Sequence, residues 1–156
     1  MADSIDILAS RFDTVSGAVL KLDRERDDHG IYNGEYVRIS ESSFTDVQGA
    51  LVDLYRGGTD ESTFGPHFLL SNSQLRNVGL GSKNRSGAAV HLHGVQVTTI
   101  EGNQFTDSAP IRVLHTVGEP VTRIVGNLFE DTPPPEVVEL HRQNENTAFI
   151  RDNLSR

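Results

Sequence analysis

The sequence predicts an all-β fold, a right-handed parallel β-helix of about five to six coils. Three observations carry that prediction. A phrase consisting of an apolar residue, two further residues, Ser or Asn, one residue, then Phe or Leu in most copies, returns six times. Its Ser/Asn positions are separated by 32, 31, 30, 24 and 26 residues, a spacing that marks a solenoid. Short alternating strands broken by Gly, Asn, Asp and Pro fill the intervals, and no stretch longer than about 12 residues shows a helical 3,4 pattern.

In order, the phrase reads Ile7–Ser10–Phe12, Ile39–Ser42–Phe44, Leu70–Ser73–Leu75, Ile100–Asn103–Phe105, Ile124–Asn127–Phe129 and Ile150–Asn153–Ser155. After the aromatic position comes a small or apolar residue (Val15, Val47, Val78), then often Gly (Gly17, Gly49, Gly79). A further apolar strand follows, which aligns by residue type around Leu22, Leu54, Leu92, Leu114 and Leu140. Leucine-rich repeats are the competing reading, but their denser leucine pattern is absent. In a β-helix, equivalent residues of successive coils lie about 4.8 Å apart, so Ile and Phe stack into apolar columns. The Ser/Asn column is expected at an inward bend, bonding backbone groups or its own members.

The length supports one domain, 1–156. There are no cysteines, so disulfides play no part. No signal-like start and no membrane-length apolar run occurs. A net charge of −8, with Lys21 and Lys83 the only lysines, argues against a nucleic-acid partner. The first repeat begins by Ile5 and the last reaches Arg156, with no amphipathic capping helix. The chain therefore reads as part of a longer solenoid, or as a domain docking on a neighbour. A small β-helix capped by dimerisation is the alternative.

Residues flanking the leucine column are expected to point outward. Just after it stand Asp23, Tyr55, His93, His115 and His141. Just before it stand Lys21, Asp53, His91, Val113 and Glu139, and one step further Arg24, Arg56 and Arg142. Elongated polymers lie along such faces, and guanidinium groups grip carboxylates with two parallel hydrogen bonds. Three readings of the histidines stay open: solvated surface, carbohydrate contact, or metal binding without a complete ligand set. Adjacent protonated histidines would repel, so their attraction for an anion is expected to grow as pH falls.

Two long loops, Arg24 to Glu35 and Tyr55 to Pro66, interrupt the coils and are of a length that usually serves function. Their Asp27, Asp28, Glu35, Asp60 and Glu61 offer oxygen ligands but no EF-hand spacing. Gly79 to Gly87 reads as a flexible turn without phosphate-loop spacing. No nucleophile elbow and no pair of facing carboxylate columns is present.

The run Gly30-Ile31-Tyr32-Asn33-Gly34-Glu35, followed by Asp53-Leu54-Tyr55-Arg56-Gly57-Gly58-Thr59-Asp60-Glu61-Ser62-Thr63-Phe64-Gly65-Pro66, resembles polysaccharide lyase family six. More narrowly, it resembles the C-terminal β-helix domain of that family's two-domain alginate lyases, relatives of chondroitinase B. The resemblance covers nearly the whole chain in repeat layout, with Tyr55–Pro66 its most specific part. It implies β-elimination on uronic-acid polymers, chiefly alginate, by a Lys base and an Arg acid. A calcium ion there neutralises the substrate carboxylate.

That catalytic set belongs to the family's N-terminal domain. Lys21 lacks the family's lysine context, and His93-Gly94 follows Leu92 where the family motif has Arg. No catalytic or metal residue carries over, and no cofactor is expected in this chain. The resemblance implies a non-catalytic scaffold and accessory polysaccharide surface, secreted or periplasmic, beside an N-terminal β-helix domain or a second copy. Tyr55, Arg56, His93, His115, His141 and Arg142 are the sugar-contacting candidates. A stand-alone lyase and a purely structural or oligomerisation module are the alternatives.

Overall fold

A computed structural model describes residues 4–23, 36–55, 67–116, 118–140 and 148–156. The described chain winds as a parallel β-helix with three strands to each complete coil. The first coil holds β1 (Ser4–Leu8), β2 (Arg11–Val15) and β3 (Leu20–Leu22). The second holds β4 (Tyr36–Ser40), β5 (Ser43–Val47) and β6 (Val52–Tyr55), and the third β7 (His67–Ser71), β8 (Gln74–Val78) and β9 (Val90–His93). Next come β10 (Val97–Glu101), β11 (Gln104–Thr106) and β12 (Ile111–His115), then β13 (Val121–Val125), β14 (Leu128–Glu130) and β15 (Glu136–Glu139). The last pair is β16 (Ala148–Arg151) and β17 (Leu154–Ser155).

Equivalent strands pair in parallel into three sheets of six, six and five strands. The first sheet runs β1-β4-β7-β10-β13-β16, the second β2-β5-β8-β11-β14-β17 and the third β3-β6-β9-β12-β15. Register follows the repeated phrase: Ile7 pairs Ile39, Ile39 pairs Leu70, Leu70 pairs Ile100, Ile100 pairs Ile124 and Ile124 pairs Ile150. Phe12, Phe44, Leu75, Phe105 and Phe129 make the second apolar column. Phe12 stacks on Phe44 at 5.2 Å and Phe105 on Phe129 at 5.1 Å. Each fully buried Phe contributes about 2–3 kcal/mol of transfer free energy.

The Ser/Asn column is a hydrogen-bonded ladder running between coils. The amide of Ser10 donates to Ser42 Oγ, that of Ser42 to Ser73 Oγ, and that of Ser73 to Asn103 Oδ1. The amides of Asn103 and Asn127 donate to the Oδ1 atoms of Asn127 and Asn153. In the other direction, the Asn103, Asn127 and Asn153 side-chain amides donate to the carbonyls of Leu70, Ile100 and Ile124, each at 2.9 Å. A bend with several buried amides is thereby satisfied by side chains, where each unmet group would cost about 1–3 kcal/mol.

The left-handed backbone at this bend falls one residue before the column: Ala9, Glu41, Asn72, Gly102, Gly126 and Asp152 all have φ between 46° and 66°. A shorter second ladder lies past the Phe column. There Val78 N–H donates to Ser108 Oγ and Ser108 N–H to Thr132 Oγ1, each at 3.1 Å.

The third sheet departs from the leucine alignment. Leu22, Leu54 and Leu92 do stack. However, Leu92 then pairs Val113, and Val113 pairs Val137. Leu114 and Leu140 therefore stand outside the leucine column. The repeat shortens from 30 to 24 residues at this point, and a one-residue slip sends every side chain to the opposite face.

Among the described residues no helix is long and apolar enough to cross a membrane.

Candidate functional site

The outer face of the third sheet carries two side-chain columns. One runs Lys21, Asp53, His91, Arg112 and Glu136 by strand register. Its members couple in pairs: His91 Nδ1 lies 2.8 Å from Asp53 Oδ1, and Arg112 Nε donates to Glu136 Oε2 at 2.9 Å. Lys21 Nζ donates to Asp23 Oδ2 at 2.8 Å. That hydrogen bond, and then the Asp23 charge, raise the lysine pKa above its ordinary value. By linkage, the pair's contribution is fully present below the unfolded lysine pKa and is lost as pH rises through the folded one. Lys21 therefore stays charged through the neutral range.

The neighbouring column runs Tyr55, His93, Leu114 and Val138. Tyr55 and His93 stack with ring centroids 4.4 Å apart and planes 12° from parallel. Both rings are half-buried, so this ridge is held rigid while it meets solvent. Leu114 and Val138 extend it as an apolar strip.

Of the six sugar-contacting candidates, Tyr55 and His93 stand side by side. Arg56, His141 and Arg142 lie outside the described residues, as do the acidic loop residues Asp27, Asp28, Glu35, Asp60 and Glu61.

His115 is different. It faces inward and is 0% exposed, because the true register places Leu114, and not His115, beside His93. Its Nδ1 meets Glu139 Oε1 at 2.5 Å and its Nε2 meets Thr122 Oγ1 at 2.8 Å. An acid, an imidazole and a hydroxyl connected in this order have the wiring of a nucleophilic triad. Thr122 is also 0% exposed, so no substrate reaches the hydroxyl, and the network is an interior polar brace. Of the three histidines expected to stack after the leucines, His93 lies on Tyr55, His115 is in the core and His141 lies outside the described residues. Arg112, absent from the leucine-based alignment, belongs to the face. The alternation Ile111-Arg112-Val113 read from Val113 is the signal that finds it.

Beside this face, where the first three coils turn from the second sheet to the third, lies a cleft of about 480 Å³. Gly17, Gly49 and Gly81 line it, with Lys21, Asp53, Lys83 and Arg85 around them. Packing makes two of these glycines obligatory. A Cβ on Gly49 would sit 2.5 Å from the Gly17 carbonyl carbon, and one on Gly81 would sit 2.5 Å from the Gln48 carbonyl oxygen.

The segment bearing Lys83 and Arg85 is tied down rather than flexible. Asn84 Nδ2 donates to the carbonyls of Gly79 (2.7 Å) and Ala88 (2.9 Å), Ser86 Oγ donates to Asn84 Oδ1 at 2.8 Å, and Arg112 Nη1 donates to the Ser86 carbonyl at 3.0 Å.

Among the described residues no three His, Cys, Asp or Glu side chains gather as a metal site requires. These residues present a stacked ring pair, exposed cations and a small-residue cleft.

No family model matches the chain, and no curated protein matches it. Solved structures do. The PL6 family alginate lyase AlyGC superposes with a TM-score of 0.92 at 44% identity, covering 99% of this chain and 21% of the enzyme's. A single-substitution mutant of AlyGC superposes with a TM-score of 0.94 at 46% identity, again covering 99% of this chain and 21% of the other. The chain thus spans about one fifth of the length of these relatives.

Proposed function

The chain is related to polysaccharide lyase family six over 99% of its length, and we propose that it is a non-catalytic β-helix domain of an alginate-lyase-like protein. In this reading it scaffolds the larger molecule and presents the outer face of its third sheet to acidic polysaccharide.

The observation that carries the reading is the identity of 44–46% maintained across the whole repeat array. Identity of that order extends beyond the stacking positions that a β-helix needs for folding. The Tyr55–His93 ridge supports the binding half of the proposal. Stacked rings supply a large rigid contact at little entropic cost, with a phenol and an imidazole as hydrogen-bonding tips.

The test is a calorimetric titration of this chain with alginate oligosaccharides, together with an assay for unsaturated uronate product. Binding without product is expected, and Tyr55→Ala should weaken it about 5- to 10-fold, equivalent to about 1–1.4 kcal/mol. Release of unsaturated product by the chain alone would instead establish a stand-alone lyase. Absence of binding would leave a structural module.

A further inference from the structure

The glycine-lined cleft supports a more specific reading than the face beside it. The sequence has two lysines, and both line this one cleft together with Arg85, against a single lining carboxylate, Asp53. That carboxylate is engaged by His91, and Lys21 is engaged by Asp23. Lys83 and Arg85 are exposed, and neither has an ion pair or side-chain hydrogen bond with another described residue. In a chain of net charge −8, two cations over a cleft that no other described residue pairs with form a local exception to the field of the described face. At physiological salt they act over about 8 Å, whereas more distant acidic residues are screened.

We propose that this cleft is a subsite for one carboxylate-bearing sugar unit of an acidic polysaccharide, with Lys83 and Arg85 gripping the carboxylate and the glycine floor admitting the ring. The proposal rests on the reading of the third-sheet face as a polysaccharide surface, and the cleft continues that face through Lys21 and Asp53.

Size, shape and rigidity agree. The volume of about 480 Å³ lies within the range of roughly 300–1,000 Å³ typical of small-ligand pockets. Gly49 and Gly81 let successive coils close up at the floor of the cleft, since a Cβ at either would meet the backbone of the preceding coil. The Asn84 bonds hold the cation-bearing segment before any ligand arrives, which lowers the ordering cost of binding. An arginine and a lysine on one short segment join a planar two-pronged donor to a compact charge, a pair suited to a carboxylate.

The experiment titrates the chain by calorimetry with two probes: an alginate tetrasaccharide, and the same tetrasaccharide with its carboxylates reduced to hydroxymethyl groups. Three proteins are compared: wild type, the K83A/R85A double variant and Tyr55→Ala. Both cationic side chains are exposed, so the double variant should keep its circular dichroism spectrum and unfolding midpoint. We expect wild type to prefer the acidic probe at least tenfold, and the double variant to lose most of that preference along with most of the salt dependence.

If the double variant binds the acidic probe like wild type while Tyr55→Ala loses affinity, the subsite is wrong and the face reading stands. Equal wild-type affinity for the two probes also rejects the subsite. If wild type binds neither probe, the subsite and the face reading fall together.

Discussion

His115 shows how much one residue's placement determines here. It is enclosed, and both ring nitrogens are engaged, by Glu139 and Thr122. The remaining Glu139 oxygen, Oε2, is buried without a partner among the described residues, as is Thr98 Oγ1 on the coil below Thr122. Interiors tolerate such groups only in connected networks. His115→Ala would strip Glu139 of its imidazole and leave a cavity. It should lower unfolding free energy by about 3 kcal/mol in urea titrations, since breaking a buried pair costs more than the pair itself contributes. A loss below about 1 kcal/mol would mean that the brace is not structural. The sequence placed this histidine outside because the alignment followed leucines. Backbone register follows packing, and Val113 fits beneath Leu92 as well as any leucine.

At the scale of the bend and its ladder, the sequence was much more legible. Ser10 through Asn153 were identifiable as one column because every coil repeats them, and repetition survives the change in coil length. What repetition did not reveal is which residue takes the left-handed turn. That position is chemically mixed, with glycine at Gly102 and Gly126 but a charged side chain at Glu41, whose φ is 53°. A left-handed non-glycine residue costs about 1–2 kcal/mol, and glycine returns about 0.5–1 kcal/mol of this as lost chain entropy. Glu41 is exposed, so Glu41→Gly should raise stability by about 0.5–1 kcal/mol. A thermal unfolding scan checks this, and a lowered midpoint would show that the side chain has a role the bend geometry does not reveal. The second ladder, Ser108 to Thr132, escaped the sequence reading because two members do not make a visible period.

For the whole molecule, stability is expected to be graded along the axis, because each coil of a solenoid leans on its immediate neighbours. The central strands β7, β8, β10 and β11 bury Phe68, Leu70, Leu75, Ile100 and Phe105 to 1% exposure or less. In β16 and β17, Phe149, Ile150 and Leu154 are 44–60% exposed. Amide hydrogen exchange should therefore be slowest in the central coils and fastest in β16 and β17. Uniform protection would point to a single cooperative unit instead. Architecture at this scale was legible in the sequence, since it depends on period and hydrophobicity alone. The cleft was not, because Gly17, Gly49, Gly81, Lys83 and Arg85 come from three coils of unequal length and meet only once the chain is wound.

The Ser/Asn ladder also has a direction. Each coil's bend amide is accepted by a side chain from the coil that follows it in sequence: Ser10 by Ser42, Ser42 by Ser73, and onward to Asn127 by Asn153. During synthesis the newest coil is thus always the one that completes its predecessor, and translation and winding advance in the same sense. A ribosome pausing between coils would leave one bend unfinished, while the bends already made stayed locked.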